Sequence, residues 1–190
     1  MKKTVFVLLL ATLSIGAYSQ KGNITVGAKG GYLYSPVDLQ FHGILYGVEA
    51  AYHLSDPLEI AFSGLMNPNV PYALTDNNQK TNEKLAIYSM NLDLRLYLIH
   101  QQTWATGPAL GGQYYIVNNV TTSLGSDKAL GFNLGWHIRV NLTDNLLLNG
   151  GWRYTNAKAK DNRNWWDNES KLDISHHLFY IGISYMFEAK

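Results

Sequence analysis

Residues 84–99 read KLAIYSMNLDLRLYLI, and every second residue belongs to a different world. Ala86, Tyr88, Met90, Leu92, Leu94, Leu96 and Leu98 form one unbroken apolar row, while Ile87, Ser89, Asn91, Asp93, Arg95 and Tyr97 form the other. A period of two is that of a β-strand, whose successive side chains point to opposite faces. The segment outlasts the roughly 5–6 residues usual for a strand in a soluble domain. It is long enough to cross a bilayer, for which a tilted strand needs about 9–11 residues. In a soluble protein the apolar row would face a core and the charged row water. In a membrane barrel the two faces exchange their meaning, and the rest of the chain decides between them.

Seven further segments carry the same alternation. They are 23–34, 44–54, 58–66, 104–117, 128–142, 146–156 and 173–187, and the purest is KALGFNLGWHIRVNL at 128–142. There Leu130, Phe132, Leu134, Trp136, Ile138, Val140 and Leu142 alternate with Gly131, Asn133, Gly135, His137, Arg139 and Asn141. Short connections at 55–57, 100–103 and 143–145 alternate with longer polar ones at 35–43, 67–83, 118–127 and 156–173. Short turns at one end and long loops at the other describe an up-and-down meander of the transmembrane type. Pro108 interrupts one segment, and a proline inside a sheet belongs at an edge or a bulge because it has no N–H to donate. Tyr and Trp gather near segment ends, as an interfacial girdle requires. Tyr52, Trp104 and Phe187 mark the turn end, and Tyr34, Tyr88, Tyr114, Trp152 and Tyr154 the loop end, whereas Trp136 falls mid-strand.

Composition agrees. The chain has 190 residues, 15 basic and 14 acidic, with a formal net charge of +1, which gives no electrostatic case for a nucleic-acid partner. Charged residues are 15 % of the chain and aromatics 13 %, less charge than the roughly 25 % of soluble domains. No cysteine is present, so disulfide and thiolate chemistry are excluded. The first twenty residues, MKKTVFVLLLATLSIGAYSQ, hold Lys2 and Lys3, an apolar run from Val5 to Ile15, and the small residues Ala17 and Ser19. That is a secretory signal peptide, expected to be cleaved after Ser19. The apolar run is shorter than the ~20 residues of a membrane-spanning helix. The expected organisation is therefore a signal peptide at 1–19 and one barrel domain at 20–190.

The expected fold is all-β, an eight-stranded antiparallel up-and-down transmembrane β-barrel. Its lumen would hold Lys29, Glu49, Glu59, Asp93, Arg95, Arg139, Arg153 and His137, joined by His53, His176, Asn91, Asn133 and Gln113. Eight strands enclose a space that side chains fill, so these groups should form a hydrogen-bonded ion network rather than line a channel. Asp93 and Arg95 would pair with each other or with charges on neighbouring strands.

These features resemble the small eight-stranded outer-membrane barrels of the OmpA/OmpX type, in particular the outer membrane β-barrel domain or porin-family proteins of Bacteroidota. The resemblance covers the mature chain and rests on pattern; its most specific part is the last segment. Phe179, Ile181, Ile183, Tyr185 and Phe187 alternate outward there, similar to the signal read by the barrel assembly machinery, although Glu188, Ala189 and Lys190 follow. The resemblance implies an outer-membrane location, lipid and lipopolysaccharide as surroundings, a monomer, and no cofactor.

No metal-ligand spacing is present: His176 and His177 are adjacent and would face opposite ways on a strand. Ser175 and His177 would share the outward face with Glu169 near, reversed from the His-x-Ser order of outer-membrane lipid A deacylases, whose hydroxyl needs a neighbouring base. Interfacial polar residues explain the pair as well. Among the loops, Trp165 and Trp166 stand amid mixed charge and Tyr72 lies in the 67–83 stretch. They could bind a glycan, a peptide or a neighbouring surface, or anchor and pack locally. The expected role is structural or surface-interacting. The alternatives are a lipid-modifying hydrolase, a narrow porin, and a soluble lipocalin-like barrel with the apolar rows lining a cavity.

Overall fold

The computed structural model describes residues 21–35, 39–74, 83–119, 126–160 and 171–188; the leader at 1–19, the loop tryptophans Trp165 and Trp166, and Glu169 lie outside them. Among the described residues ten strands occur. They are β1 (Ile24–Tyr34), β2 (Leu39–Ser55), β3 (Leu58–Leu74), β4 (Glu83–Leu96), β5 (Ile99–His100), β6 (Trp104–Asn119), β7 (Ser126–Asn141), β8 (Leu146–Lys160), β9 (Lys171–Asp173) and β10 (His176–Phe187). Eight of them pair antiparallel in the order β10-β1-β2-β3-β4-β6-β7-β8, and β10 also pairs with β8, which closes the barrel. The short β5 and β9 pair with β6 and β8.

Closure is staggered. Directly paired residues lead from Ile24 through Tyr52, Ile60, Leu94, Leu110, Leu134, Tyr154 and His177, and return to β1 at Tyr34. The path thus re-enters β1 ten residues above its start, from 24 to 34. Such a stagger over eight strands tilts them by about 40° and fixes a lumen that side chains can fill. With no open edge, each of the eight barrel strands finds partners on both sides, the condition for β-structure inside lipid.

The faces sort as the alternation requires. Leu92 is 56 % exposed, Leu134 48 % and Trp136 47 %, whereas Asp93 and Arg95 are each 2 % exposed and Arg139 1 %. The apolar rows lie on the outside and the ionic row within. The lipocalin-like alternative, which needs the apolar row inside, is overturned by this placement.

Two expectations about extent are corrected. The polar stretches beyond the bilayer were expected to be loop from 35, 67, 118 and 156, yet β3 continues to Leu74, β2 begins at Leu39, and β6 and β8 run to Asn119 and Lys160. Outside the hydrocarbon the outer face is wet, so a strand persists there without the apolar alternation that marks it lower down. Tyr72 therefore sits on β3 opposite Glu83 of β4, not on a loop; its side chain lies outside the described part.

Pro108 sits at an irregularity. Arg95 pairs with Ala109, but Ile99 pairs with Thr106, so β4 and β5 together carry one extra residue against β6. The bulge falls opposite Gly107 and Pro108, where a missing N–H leaves no ladder bond unmade. Leu98 N donates instead to the Thr106 carbonyl at 3.0 Å. A Cβ on Gly107 would land on the Leu96 carbonyl, so the bulge also requires a glycine.

Candidate functional site

The interior falls into two ionic clusters under an apolar cap. In the first, nearest the turn end, Glu49 accepts from Lys29 Nζ at 2.7 Å, from Arg95 Nη2 at 2.5 Å and from Arg95 Nη1 at 3.1 Å. Arg95 Nη1 also donates to Glu59 at 2.7 Å, and Tyr97 donates its hydroxyl to the other Glu59 oxygen at 3.2 Å. His53 Nε2 lies 3.2 Å from Glu59, and His53 Nδ1 lies 3.5 Å from Arg139 Nη1. Beside that carboxylate Nε2 holds the proton and donates it, while Arg139 Nη1 stands about equally near both ring nitrogens, 3.4 Å from Nε2 and 3.5 Å from Nδ1. Arg139 itself stands 3.6 Å from Glu59.

The second cluster is built on Asp93 and Arg153, which are ion-paired, with Asn133 Nδ2 donating to Asp93 at 3.2 Å and Arg153 Nη1 donating to Asn91 at 2.8 Å. The Thr155 hydroxyl lies 2.9 Å from Asn133 Oδ1 and 3.0 Å from Gln113 Oε1, extending this network toward the loops.

Among the described residues seven charged side chains are buried, cations Lys29, Arg95, Arg139 and Arg153 against anions Glu49, Glu59 and Asp93. A buried excess of positive charge would be costly unless other groups meet it. Two tyrosines that the sequence reading gave no role do so. Lys29 Nζ stands 3.8 Å from the Tyr180 ring centroid, and Arg139 Cζ stands 4.6 Å from that of Tyr97. A cation over a desolvated ring gains about 2 kcal/mol. Tyr180 also holds His137, whose Nδ1 lies 3.0 Å from its hydroxyl. Their signal was available in the sequence: Tyr97 and Tyr180 share the parity of Arg95 and His176.

Above these clusters lies a cap of Leu33, Leu45, Leu65, Val70, Leu85, Ile87, Tyr115, Ile174 and Leu178. Within it Tyr115 and His176 meet at 2.9 Å, and since His176 Nδ1 donates to the Ile174 carbonyl, Nε2 accepts from the phenol. A gap of about 10 Å³ remains among Leu33, Leu85, Ile87, Tyr115, Val117, Ile174 and His176, room for about one water. The ion network expected in the lumen thus occupies only part of it, and an apolar cluster around the Tyr115–His176 pair fills the rest toward the loops.

All eight residues expected in the ion network therefore face the interior, and the alternatives expected for Asp93 and Arg95 divide: Arg95 pairs with Glu59 on the neighbouring β3, whereas Asp93 pairs across the lumen with Arg153 on β8. Asp93 and Arg95 do not pair with each other. Two residues apart on one strand they stand roughly 7 Å apart, while partners across a narrow lumen are closer. The contacts reach far around the ring. Arg139 on β7 touches His53 on β2, the diametrically opposite strand, and Asp93 on β4 holds Arg153 on β8.

The Ser175–His177 pair is also corrected. Ser175 falls in the break between β9 and β10, is buried, and accepts from the Ala157 N–H at 3.2 Å. His177 instead faces outward, stacked on Trp152 at 5.8 Å and accepting its indole N–H at 3.2 Å. The two side chains do not share a face, so the nucleophile and base are not brought together.

Phe179, Ile181, Ile183, Tyr185 and Phe187 all face outward along β10, with the Tyr185 and Phe187 rings 5.0 Å apart. Mid-strand Trp136 has a local reason: its indole N–H donates to Thr106 Oγ1 at 2.7 Å, so no bare N–H is left in hydrocarbon.

A closed barrel with an apolar outer belt and a filled interior is an integral outer-membrane β-barrel protein. Residues 5–187 match the model of the outer membrane protein beta-barrel domain, and the chain belongs to that family. A search of curated proteins finds no match. Among solved structures, the chain is similar to the outer membrane protein OprG from Pseudomonas aeruginosa, at 14 % identity and a TM-score of 0.63, covering 90 % of this chain and 98 % of that one. It is likewise similar to Neisserial surface protein A, at 14 % identity and a TM-score of 0.59, covering 88 % and 100 %. A major outer membrane protein from Thermus thermophilus aligns at 16 % identity and a TM-score of 0.52, covering 87 % and 99 %. At these identities the likeness speaks for the fold alone.

Proposed function

We propose that the protein is a sealed, non-enzymatic barrel that serves as a structural and surface-interacting element of the outer membrane, with its specific work done by the outer loops. The observation that carries this reading is the contact between Arg139 and His53 across the full width of the lumen, at 3.4–3.5 Å. Side chains that touch from diametric strands leave no continuous aqueous path at that level, and the apolar cap above it is a second barrier to ions. The rigid wall then offers its loops as the variable part, the usual division of labour between scaffold and recognition. Trp165 and Trp166 in the 156–173 stretch, with Tyr72 on the outer part of β3, are the candidates for contact with a glycan, peptide or neighbouring surface. The outward row of β10 is the segment we assign to recognition by the assembly machinery.

Recordings from planar bilayers test the seal. The reconstituted barrel is expected to give no steady open channels; stable porin-like conductance would refute it and favour the narrow-porin alternative.

A further inference from the structure

The contact that spans the lumen joins an imidazole to a guanidinium, and of the two only the imidazole changes its charge under physiological conditions. His53 is wholly buried, with Glu59 beside Nε2 at 3.2 Å and Arg139 Nη1 at 3.4 and 3.5 Å from the two ring nitrogens. With the ring's proton on Nε2, Nδ1 alone has a lone pair to offer the guanidinium. An imidazolium carries a proton on both nitrogens and offers none. The contact then becomes one between two cations at about the same separation, which repel strongly in an interior that screens poorly.

Arg139 has little else to hold it. Its nearest carboxylate oxygen, on Glu59, is 3.6 Å away, beyond hydrogen-bond reach, and its Nε is buried without a partner. The Tyr97 ring supports it from one face, 4.6 Å from Cζ. Glu59 is engaged elsewhere, accepting from Arg95 Nη1 at 2.7 Å and from the Tyr97 hydroxyl at 3.2 Å. His100 on β5 stands half-buried at the turn end, its ring 6.5 Å from that of Tyr97. One layer deeper are Glu49 on β2, Lys29 on β1 and His137 on β7. The inward side chains of β1, β6, β8 and β10 at this end, Thr25, Ala105, Leu147 and Met186, carry no charge. The cluster thus sets the cations Lys29, Arg95 and Arg139 against the carboxylates Glu49 and Glu59 alone, and a proton on His53 widens that surplus.

Directly behind the contact the wall is lined by small side chains. Ala51 lies two residues from His53 on the inward row of β2 and pairs with Ala61 of β3, and both are buried. We propose that the His53–Arg139 contact is an acid-released latch: protonation of His53 expels the Arg139 side chain and lets water into the turn-side half of the lumen as far as Ala51 and Ala61. The apolar cap is untouched, so the barrel answers acid with a water-filled pocket open at the turn end and not with a through channel. This rests on the reading of the lumen as sealed at neutral pH.

The test uses the full mature barrel refolded in detergent micelles, with Ala51→Cys as the single thiol of an otherwise cysteine-free chain. Its rate of reaction with water-soluble 4,4′-dithiodipyridine, which modifies thiols in acid as well as at neutral pH, is taken relative to that of Asp144→Cys in an exposed turn. The ratio is expected to rise on the order of 10-fold from about pH 7.5 to about pH 4, a span that covers the ordinary range of histidine protonation. His53→Gln keeps an acceptor for Arg139 but takes no proton, and should hold the ratio flat. His137→Gln should leave the rise intact. A flat ratio in the parent protein, a rise that survives His53→Gln, or a rise that His137→Gln abolishes would each overturn the proposal. So would a rise that accompanies loss of the heat-modifiable band, since the barrel would then have unfolded. Should Ala51→Cys fail to give that band at neutral pH, Ala61→Cys takes its place with the same outcomes. Bilayer conductance at neutral pH judges the seal separately, so either reading can fail without the other.

Discussion

Replacing Arg153 by Met should unfold this barrel far more easily than a surface substitution would, and replacing Asp93 as well should restore much of the loss. Without Arg153, the Asp93 carboxylate keeps the Asn133 amide at 3.2 Å but no cation of its own. Removing one partner of a buried ion pair costs about 3–5 kcal/mol, because the remaining charge stays in a poor solvent. Asp93→Asn should fall at the low end of that range, since Arg153 retains the Asn91 oxygen at 2.8 Å and the Tyr180 ring at 5.7 Å. The apolar pair Asp93→Leu/Arg153→Met fills similar volume without an orphan charge, and such replacements are neutral or even stabilising. The coupling energy of the cycle should therefore reach about 3 kcal/mol or more, against 0–1 kcal/mol for a solvated pair. Urea unfolding from lipid vesicles, followed by the fluorescence of the five tryptophans and by heat-modifiable migration, measures all four proteins. Single substitutions that each cost under about 1 kcal/mol and simply add would refute the reasoning, because the pair would then be bathed in water.

Three further outcomes are expected. Gly47→Val should collapse the yield of folded barrel, because a Cβ there meets the Gly64 carbonyl, while Gly64→Ala, with open space around its Cβ position, should refold like the wild type; heat-modifiability reads both. In single-tryptophan proteins, Trp136 should be quenched most by lipids brominated near the bilayer centre and Trp104 by lipids brominated near the headgroup, since Trp136 lies mid-strand and Trp104 opens β6. Phe187→Ala should reduce insertion into outer membranes by cells while leaving refolding in detergent unchanged, a split that separates machinery recognition from intrinsic stability.

The alternation of the eight crossing segments was legible because lipid on one side and a packed lumen on the other impose the same two-residue period throughout. Leu92 against Asp93 and Leu134 against Asn133 needed no partner to be sorted. What escaped was whatever depends on closing the ring. That Arg139 meets His53, and that Asp93 chooses Arg153 over Arg95, follows from the ten-residue stagger, which no single strand encodes. The apolar cap escaped for another reason. Leu33, Leu45, Leu65 and Leu178 share the inward parity of the charged residues, and attention to charge hid a face that is ionic below and hydrocarbon above. Counting by parity also failed at Ser175, because the gap between β9 and β10 breaks the period on which the count relied. The upper strand ends were hidden by solvent, which removes the apolar outer row where β3 continues through Pro71 to Leu74.

The central claim is that the apolar rows touch acyl chains while the polar rows fill a closed interior. The cysteine-free chain permits single nitroxide labels without background, and their collision rates with oxygen and with a water-soluble nickel complex report lipid, water or protein around each site. Labels at Met90, Leu92, Leu94 and Leu134 are predicted to collide freely with oxygen and poorly with nickel. Labels at Ser89, Asn91 and Asn133 should collide poorly with both. Nickel reaching the second group as readily as bulk water, or oxygen failing to reach the first, would contradict the account.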